Sequence, residues 1–503
     1  MFKMQKIYTI APLGLEGILV EVETNLSQHL PRTILVGLPD TAVQEARERV
    51  WAAIENSELH YPRKKVVVNL APAQIRKEGG AYDLAIAISI LQASEQVELP
   101  DEKIAFIGEL SLTGELKSVP GILVMVSALK NLGFSKIFLS SQNAAEVNII
   151  SGIEIYPVDD LKQLVNYFKN KENIDPIKIQ KFQPRLADTV VDLADIKGQM
   201  QAKRVLEIAA AGGHNVLLVG SPGAGKTMLA KAFLSIIAPL DIDEALEISK
   251  IYSLAGLLSC DRPLISTRLL RSPHHSASVA SIVGGGSWPR PGEISLAHRG
   301  VLFLDEILEF PRTVLESLRQ PLEDKIITVS RVKGSVDFPA NFILLATSNP
   351  CPCGFLTDQE KACKCSRLEI ERYQKRVSGP LLDRIDLHLQ VGKVKSREFT
   401  SKSLVENSAQ VRQRVIAARN KQKSRSNLLN AGLDQEKIKQ FCRIDEAIKN
   451  VLQQAVEKLQ LSARAYFKIL KVARTIADLA NREDIEEGDV LEALLYRGRI
   501  FGD

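Results

Sequence analysis

The sequence predicts an α/β fold, in which a central domain with a parallel sheet lies between a second α/β domain and a helical domain. Three observations indicate this order. Strand-length apolar runs alternate with helical patterns in the first third of the chain, a strand–glycine loop–helix unit follows, and helical periodicity almost without strand signals dominates the last fifth. The expected segments are an N-terminal domain, a polar linker, a core and a C-terminal helical domain, at residues 1–165, 166–190, 191–394 and 395–503.

Composition and charge are those of an ordinary globular protein. Of 503 residues, 45% are apolar and 25% charged, and the net charge of +5 permits nucleic-acid binding without arguing for it. No apolar run reaches membrane-spanning length, and the first residues lack the apolar region of a signal peptide. The six cysteines do not form a secreted disulfide pattern, so we expect a cytoplasmic protein with no membrane partner.

The motif on which the functional prediction depends follows a buried strand at residues 216–219. It fits G-x-x-x-x-G-K-[ST], with a helix opening at its end, so its backbone N–H groups can cradle a polyphosphate. Lys226 supplies a cation for the β- and γ-phosphates, and the Thr227 hydroxyl can ligate Mg²⁺. The sequence therefore predicts that ATP binds to the loop Gly220, Ser221, Pro222, Gly223, Ala224, Gly225, Lys226 and Thr227.

A pair of carboxylates ends a second apolar run, at residues 301–304. In a parallel sheet such a strand delivers Asp305 and Glu306 to the edge where ligands bind. We expect Asp305 to hold Mg²⁺ and Glu306 to act as the general base for the attacking water. A third strand, at residues 342–347, leads to Asn349, whose amide can hydrogen-bond the γ-phosphate or the water.

Much of the chain resembles the magnesium-chelatase-like AAA+ ATPases of the YifB/ComM family. The resemblance rests on the runs RSPHHSAS, GGGSWPRPGEISLAHRGVLFLDE, ATSNPCPCGF and SARAYFKILKVARTIADL. It implies that Asn349 is sensor 1, that Arg384 in SGPLLDRIDLHL reaches the neighbouring subunit's site, and that Arg464 is sensor 2 on a helical lid. It also implies a ring, with six subunits as the family expectation.

The N-terminal domain resembles the ribosomal-S5-like domain of Lon-type proteases. The runs that carry this are VVNLAPAQIRKEGGAYDLAIAISIL and IGELSLTGELKSVPGILVMVSALKNLG. The resemblance places the protease serine at Ala81 and the lysine at Leu123, and neither side chain can perform that chemistry. We therefore expect an S5/Lon-like domain without proteolytic activity that serves contacts or assembly.

Four cysteines lie in a short insertion at residues 350–366. Two C-x-C pairs, Cys351 with Cys353 and Cys363 with Cys365, suit a closed tetrahedral site for structural Zn²⁺. Free thiols, a redox pair and an iron–sulfur cluster are the alternatives. The basic residues around the insertion are compatible with nucleic acid.

A predicted β-hairpin at residues 326–338 turns at Lys333-Gly334. In related helicases a hairpin at this place tracks DNA, which makes Arg331 and Lys333 candidate DNA contacts; a merely solvated hairpin is the alternative. The favoured hypothesis is an ATP-driven motor on single-stranded or branched DNA, as a helicase or in branch migration. A chelatase motor subunit, a remodeller of a protein partner and a nucleotide-gated protease or scaffold are the others.

Overall fold

The chain folds into two compact units in a computed structural model. The first unit comprises Met1–Gln183 with Ala245–Ile265, and the second comprises Pro184–Glu244 with Ser266–Asp503. The model describes residues 6–38, 40–74, 77, 79–187, 191–258, 262–285, 289–331, 334–358, 360–394 and 406–498.

The first unit contains a seven-stranded sheet in the order β3-β4-β2-β1-β5-β8-β9, and a two-stranded ribbon of β6 and β7. Strands β1, β2 and β4 pair antiparallel in succession, whereas β3 with β4 and the β1-β5-β8-β9 side are parallel. The strands are β1 Ile7–Leu13, β2 Glu16–Ser27, β3 Arg32–Val36, β4 Lys65–Ala71, β5 Ile104–Ile107, β6 Glu109–Leu110, β7 Leu116–Lys117, β8 Lys136–Ser140 and β9 Glu154–Val158.

Helices lie on both faces of this sheet, and among the described residues each face carries a hydrophobic core. Neighbouring strand residues alternate between them, so that Phe138 packs in one core and Ile137 in the other. The helices are Thr41–Asn56, Asp83–Ala93, Ile122–Asn131, Ala144–Val147 and Leu161–Phe168, with a 3₁₀ turn at Ser141–Asn143.

The two positions that correspond to a protease serine and lysine are part of a core. Ala81 and Leu123 are both buried in the cluster that contains Ile137. The apolar packing of both side chains agrees with the prediction of a non-proteolytic domain, which remains untested.

Residues 245–265 pack in the first unit, although the sequence analysis assigned them to the core at 191–394. In this segment Leu246 packs on the core that contains Leu123, and the Ser253 carbonyl accepts from the Gly121 N–H at 3.0 Å. The Ser253 hydroxyl also donates to Glu146 at 3.1 Å. These packing contacts, and not its position in the sequence, place the segment in the first unit. The predicted domain boundaries remain a prediction.

The second unit is built on a five-stranded parallel sheet in the order β11-β14-β17-β10-β18. A short ribbon of β12 and β13 and a hairpin of β15 and β16 accompany it. The strands are β10 Val216–Gly220, β11 Leu270–Arg271, β12 Gly284–Gly285, β13 Arg290–Pro291, β14 Val301–Leu304, β15 Ile326–Arg331, β16 Gly334–Pro339, β17 Ile343–Ser348 and β18 Leu387–Val391.

One hydrophobic core joins this sheet to the C-terminal helices. Val216 and Leu345 of the sheet lie in the same cluster as Val415 and Ile476 of those helices. The α-helices described wholly in this unit are Met200–Gly212, Lys226–Ile236, Val279–Val283, Glu293–Leu296, Arg312–Ser317, Arg319–Asp324, Arg367–Gln374, Gly379–Leu382, Ser408–Ser426, Gln435–Phe441, Glu446–Leu459, Ala463–Leu479 and Glu487–Leu495. Helix Ile242–Leu254 crosses the boundary in sequence between the units. The α/β fold class, the parallel sheet and the helical C-terminal region are confirmed.

Candidate nucleotide-binding site

Three adjacent parallel strands end at one edge of the second unit's sheet. Strand β17 lies between β14 and β10, and all three run in the same direction. The carboxyl end of β10 leads into the phosphate-loop motif, that of β14 into the Asp305-Glu306 pair, and that of β17 into Asn349. The topology therefore brings together groups that are far apart in the sequence, at the edge where open α/β sheets bind ligands.

The glycine-rich loop has the backbone that a phosphate cradle needs. Gly223 and Gly225 have φ angles of +81° and +85°, and a Cβ added at either would meet no atom within 4 Å. Helix Lys226–Ile236 starts directly after Gly225, so its N-terminal N–H groups face the loop. The loop thus presents open space and backbone donors together.

Lys226 lies inside this loop and is 9% exposed. Its ammonium donates to the Gly220 carbonyl, to the Ser221 carbonyl at 3.3 Å and to Asn349 Oδ1 at 2.9 Å. Burial lowers the pKa of Lys226 below its usual value, while the nearby carboxylates of Asp305 and Glu306 oppose that shift.

Oxygen ligands of the kind that Mg²⁺ prefers meet beside the loop. The Thr227 hydroxyl lies 3.1 Å from Asp305 Oδ2. The other oxygen, Asp305 Oδ1, accepts from the buried Thr347 hydroxyl at 2.5 Å, and Thr347 Oγ1 accepts from the Glu306 N–H at 3.0 Å. Thr347 therefore fixes both acidic residues. Sequence reasoning missed it, although it directly precedes Ser348-Asn349 at a strand end.

Glu306 has a backbone conformation that is unusual for a residue with a side chain. Its φ angle is +54°, in the left-handed region, and such strain is typical of functional positions. Asn349 Nδ2 lies 3.4 Å from Glu306 Oε1, while Asn349 Oδ1 contacts Lys226. One amide thus links the candidate base to the phosphate-loop lysine.

Gln199 is a second residue that sequence reasoning missed. Its side-chain amide donates to the carbonyls of Gly392 at 2.6 Å and Ala224 at 3.2 Å. It therefore ties the phosphate loop to the segment after β18. Its φ of +55° at the position before helix Met200–Gly212 is the structural signal, and nothing comparable is visible in the sequence.

The two predicted arginines form a separate cluster. Arg384 and Arg464 are 80 residues apart in sequence, yet both donate to one carboxylate, that of Glu323. Arg384 also donates to the Pro380 carbonyl at 2.9 Å, and its side chain is only 14% exposed. The structure therefore divides the six predicted catalytic residues into a phosphate-loop group of four and an arginine pair held by Glu323.

A buried hydrogen-bond network joins the sheet to the arginine cluster. Asn215, just before β10, accepts from the Leu344 N–H at 2.8 Å, donates its side chain to the Arg384 carbonyl at 3.3 Å and donates its N–H to Asp386 at 2.9 Å. Asp386 is paired with Lys468 at 2.7 Å. Burial alone would raise the pKa of Asp386, but Lys468 and His214 outweigh it and hold that pKa well below the usual range.

The four cysteines converge in one cluster. All four sulfur atoms lie within 4.8 Å of one another, and the Sγ–Sγ distances from Cys351 are 3.4 Å to Cys353 and 3.6 Å to Cys363. A tetrahedral zinc with bonds of ~2.3 Å separates its sulfurs by about 3.8 Å. The N–H groups of Cys353 and Cys365 point at sulfur atoms of the cluster, each at 3.4 Å. This donor set fits a closed thiolate site.

The cysteine insertion packs directly on the phosphate loop. Gly354 lies so close to the Pro222 ring that an added Cβ would be 2.6 Å from Pro222 Cδ. Asp358 lies 2.8 Å from Lys393, and hydrogen bonds from Lys393, from backbone N–H groups and from Ser221 lower the pKa of Asp358. The insertion therefore contacts two residues of the nucleotide loop.

The predicted hairpin is present as β15 and β16. Arg331 pairs with Gly334 at the end of the hairpin. The Arg331 side chain and the whole of Lys333 lie outside the described residues, so the predicted DNA contacts remain a prediction.

Comparisons with known proteins agree with this geometry. Family models described as magnesium chelatase subunit ChlI, subunit ChlI of Mg-chelatase and the ChlI C-terminal region match residues 192–399, 22–143 and 405–497. The protein YifB of Escherichia coli strain K12 is 43% identical over 499 residues, 98% of this chain and 96% of that protein. The chain belongs to the magnesium-chelatase-like YifB/ComM family.

Membership in this AAA+ family implies the use of ATP and Mg²⁺, and AAA+ proteins commonly form oligomers. Competence protein ComM of Haemophilus influenzae is 41% identical over 500 residues, 98% of this chain and 97% of that protein. DNA repair protein RadA of Streptococcus pyogenes is 33% identical over 101 residues, which are 19% of this YifB/ComM-family chain and 22% of RadA. Within the described ranges, no helix combines the length and apolarity needed to cross a bilayer.

Proposed function

We propose that this chain is an ATP-hydrolysing motor that works on DNA as an oligomeric ring, in helicase or branch-migration activity. The observation that carries the ATPase part is the convergence of Lys226, Thr227, Asp305, Glu306 and Asn349 at adjacent strand ends. The DNA part is supported by the relatives named for competence and for DNA repair.

Each residue of the phosphate-loop group has a chemical role in this proposal. Lys226 exchanges its carbonyl partners for the phosphates, and Glu306 takes the proton of the attacking water, which Asn349 orients. Thr227 and Asp305 are the residues that would hold Mg²⁺. When bound, the ion neutralises charge on the phosphates.

Arg384 and Arg464 act, in this proposal, on the nucleotide of the neighbouring subunit. The support is that their common partner is Glu323, while the contacts described for the phosphate-loop group include neither arginine. In the sequence analysis, the family resemblance makes Arg464 sensor 2 on a helical lid. Because Arg464 shares a carboxylate with Arg384, we propose that both guanidinium groups act at the neighbouring subunit's nucleotide. There they stabilise charge on the transferred phosphoryl group.

A structural Zn²⁺ at the four cysteines is part of the proposal. The mutual sulfur distances and the N–H groups aimed at sulfur support a thiolate shell with no open coordination position. Such a site orders the insertion that contacts Pro222 and Ser221, and it contributes no chemistry to hydrolysis.

A chelatase-type motor subunit is the second candidate, because the matching family models carry that description. The match of residues 22–143 to a ChlI family model extends this support to the N-terminal domain. The cysteine cluster remains a feature that the chelatase hypothesis does not require.

The test compares wild type with Glu306→Gln and Lys226→Ala in ATP hydrolysis and in strand exchange on branched DNA. We expect forked DNA to stimulate the wild type, Glu306→Gln to bind ATP with kcat lowered at least ~100-fold, and Lys226→Ala to lose binding. Hydrolysis without stimulation by any DNA, and without strand exchange, would remove DNA from the proposal and favour the chelatase candidate. Unchanged turnover in Glu306→Gln would refute the site itself.

Mixed rings test the action between subunits. Lys226→Ala keeps both arginines, and Arg384→Ala keeps the phosphate loop, so mixing two inactive variants should restore part of the activity at interfaces that combine the intact halves. The same mixture with Arg464→Ala tests sensor 2. Absence of recovery in mixtures shown to co-assemble would contradict the proposal.

A further inference from the structure

We propose that Glu323 is a positioning residue that holds Arg384 and Arg464 side by side for the phosphate of the neighbouring subunit. This inference rests on the proposed action of these arginines between subunits. It adds a residue to which neither the sequence motifs nor the family descriptions assign a role.

The geometry is that of one carboxylate shared by two guanidinium groups. Glu323 Oε2 accepts from Arg384 Nη2, and Glu323 Oε1 accepts from Arg464 Nη2. The three residues come from three elements: Glu323 from helix Arg319–Asp324, Arg384 from the turn after helix Gly379–Leu382, and Arg464 from the first turn of helix Ala463–Leu479. A single side chain therefore sets the distance between two groups that separate elements carry.

The trio keeps the arginines available to an anion. Its net charge is +1, because one carboxylate serves two cations. The Glu323 side chain is 44% exposed and that of Arg464 is 43% exposed, so their ion pair is screened by solvent and is weak. A phosphoryl group offers more acceptor oxygens and more charge than Glu323 and can replace it at both guanidinium groups.

The surroundings add positive charge. Glu323, Arg384 and Arg464 line a cavity of about 640 Å³ together with Lys325, Lys468 and Lys471. Asp386 and Asp434 also line it, so among its described lining residues five cationic side chains face three acidic ones. Asp386 pairs with Lys468, whereas the hydrogen bonds described for Lys325 and Lys471 go to the carbonyls of Leu322 and Ala431. The electrostatic field in this cavity therefore favours the binding of an anion. The lysines also repel the two guanidinium groups, which keeps both arginines beside Glu323.

Loss of Glu323 should disturb orientation and leave nucleotide binding intact. In Glu323→Gln the amide oxygen can accept from only one of the two guanidinium groups, while the amide NH2 cannot accept from the other. One arginine therefore loses its described carboxylate acceptor, although Arg384 retains its contact to the Pro380 carbonyl. Since misplacement by about an ångström costs up to ~100-fold in rate, we expect Glu323→Gln to lower kcat about 10-fold. The Kd for ADP should stay within about twofold, because the phosphate loop contributes none of these contacts.

The matched control is Glu316→Gln. Glu316 lies on the preceding helix, Arg312–Ser317, and forms a partly exposed pair with Arg319 at 2.9 Å. Glu316→Gln therefore removes a carboxylate, as Glu323→Gln does, from a nearby ion pair that includes neither Arg384 nor Arg464. We expect its kcat to equal that of the wild type, and thermal midpoints should report that both variants fold.

A double-mutant cycle separates positioning from a general structural effect. In the background Arg384→Ala with Arg464→Ala, the change Glu323→Gln should have no further effect on residual hydrolysis. In mixed rings, a donor subunit carrying Lys226→Ala and Glu323→Gln should restore about 10-fold less activity to Arg384→Ala than a donor carrying Lys226→Ala alone.

Two results would overturn the inference while leaving the proposed function standing: wild-type kcat in Glu323→Gln, or an equal loss in the background without the arginines. Wild-type turnover in Arg384→Ala and Arg464→Ala would instead refute the action between subunits, and the role of Glu323 with it.

Discussion

Gly354 offers the sharpest test of the contact between the cysteine insertion and the phosphate loop. Its φ of +81° is left-handed, and a Cβ there would lie 2.6 Å from Pro222 Cδ and 2.8 Å from Pro222 Cγ. Ordinary van der Waals contact begins at 3.4 Å, so Gly354→Ala requires either the cysteine insertion or the phosphate loop to move by about 0.8 Å. The hydrogen bond from the Gly354 N–H to the Cys351 carbonyl, 2.9 Å, holds the insertion side in place.

The expected free-energy effect of Gly354→Ala has two contributions. An alanine in the left-handed region costs about 1–2 kcal/mol, and an overpacked contact costs about 1–3 kcal/mol. The second cost acts on Pro222, whose displacement moves the N–H groups that bind phosphate. A loss of about 1.4–2.8 kcal/mol in binding corresponds to a Kd for ADP raised about 10- to 100-fold. Isothermal titration with ADP measures this directly, with zinc content determined on the same samples.

Gly133→Ala is the matched control, because Gly133 has a φ of +77° and no atom within 4 Å of an added Cβ. Gly133→Ala carries the backbone cost without the clash. It should therefore lower the free energy of unfolding by about 1–2 kcal/mol and leave the Kd for ADP unchanged. A Gly354→Ala protein that keeps its metal and binds ADP as tightly as the parent would refute the reasoning that the insertion supports the phosphate loop.

Three further predictions follow from the described contacts. Cys363→Ser should lower bound zinc from one equivalent and weaken ADP binding; metal analysis that finds no zinc in the wild type would instead favour free thiols, a redox pair or an iron–sulfur cluster. Lys333→Ala should weaken DNA binding and leave basal hydrolysis intact, with Lys449→Ala as the control, and equal DNA affinity would exclude the hairpin. Burial lowers the pKa of His214 to about 4, below its value of about 6.5 in an unfolded chain. The unfolded chain takes up that proton first, so stability present above pH 6.5 should fall by about 3 kcal/mol as the pH drops to 4; denaturation midpoints should show a flatter dependence in His214→Asn.

The phosphate-loop group could be predicted from the sequence because each member is attached to a strand. A buried strand fixes the direction of the next residue, so Asp305, Asn349 and the loop before Lys226 were assigned from apolar runs and their ends. Parallel pairing then brings the ends together without further information. The cysteine cluster could be predicted equally well from the sequence, because the thiolate ligand type and the spacing of the four cysteines indicate a metal site.

The supporting residues could not be predicted because their partners are set by tertiary packing alone. Glu323 is one acidic residue in a helical run, and its meaning appears only when Arg384 and Arg464 are seen beside it. Thr347 and Gln199 likewise carry no motif, and each acts through two hydrogen bonds, including one to Asp305, 42 residues away, and one to Gly392, 193 residues away. The packing of residues 245–265 in the first unit has the same origin, since sequence order does not encode it.

The division of the site into two clusters gives a physical reason to couple assembly to hydrolysis. In the proposed function, the phosphate-loop group supplies the lysine, the base and the magnesium ligands, while the arginines that stabilise the transition state are held elsewhere by Glu323. The Asn215 side chain connects the clusters through the start of β10, the backbone of β17 and the Arg384 carbonyl. Under the proposed action between subunits, these hydrogen bonds are the physical link between the sheet that carries the phosphate loop and the arginines that act on the neighbouring site.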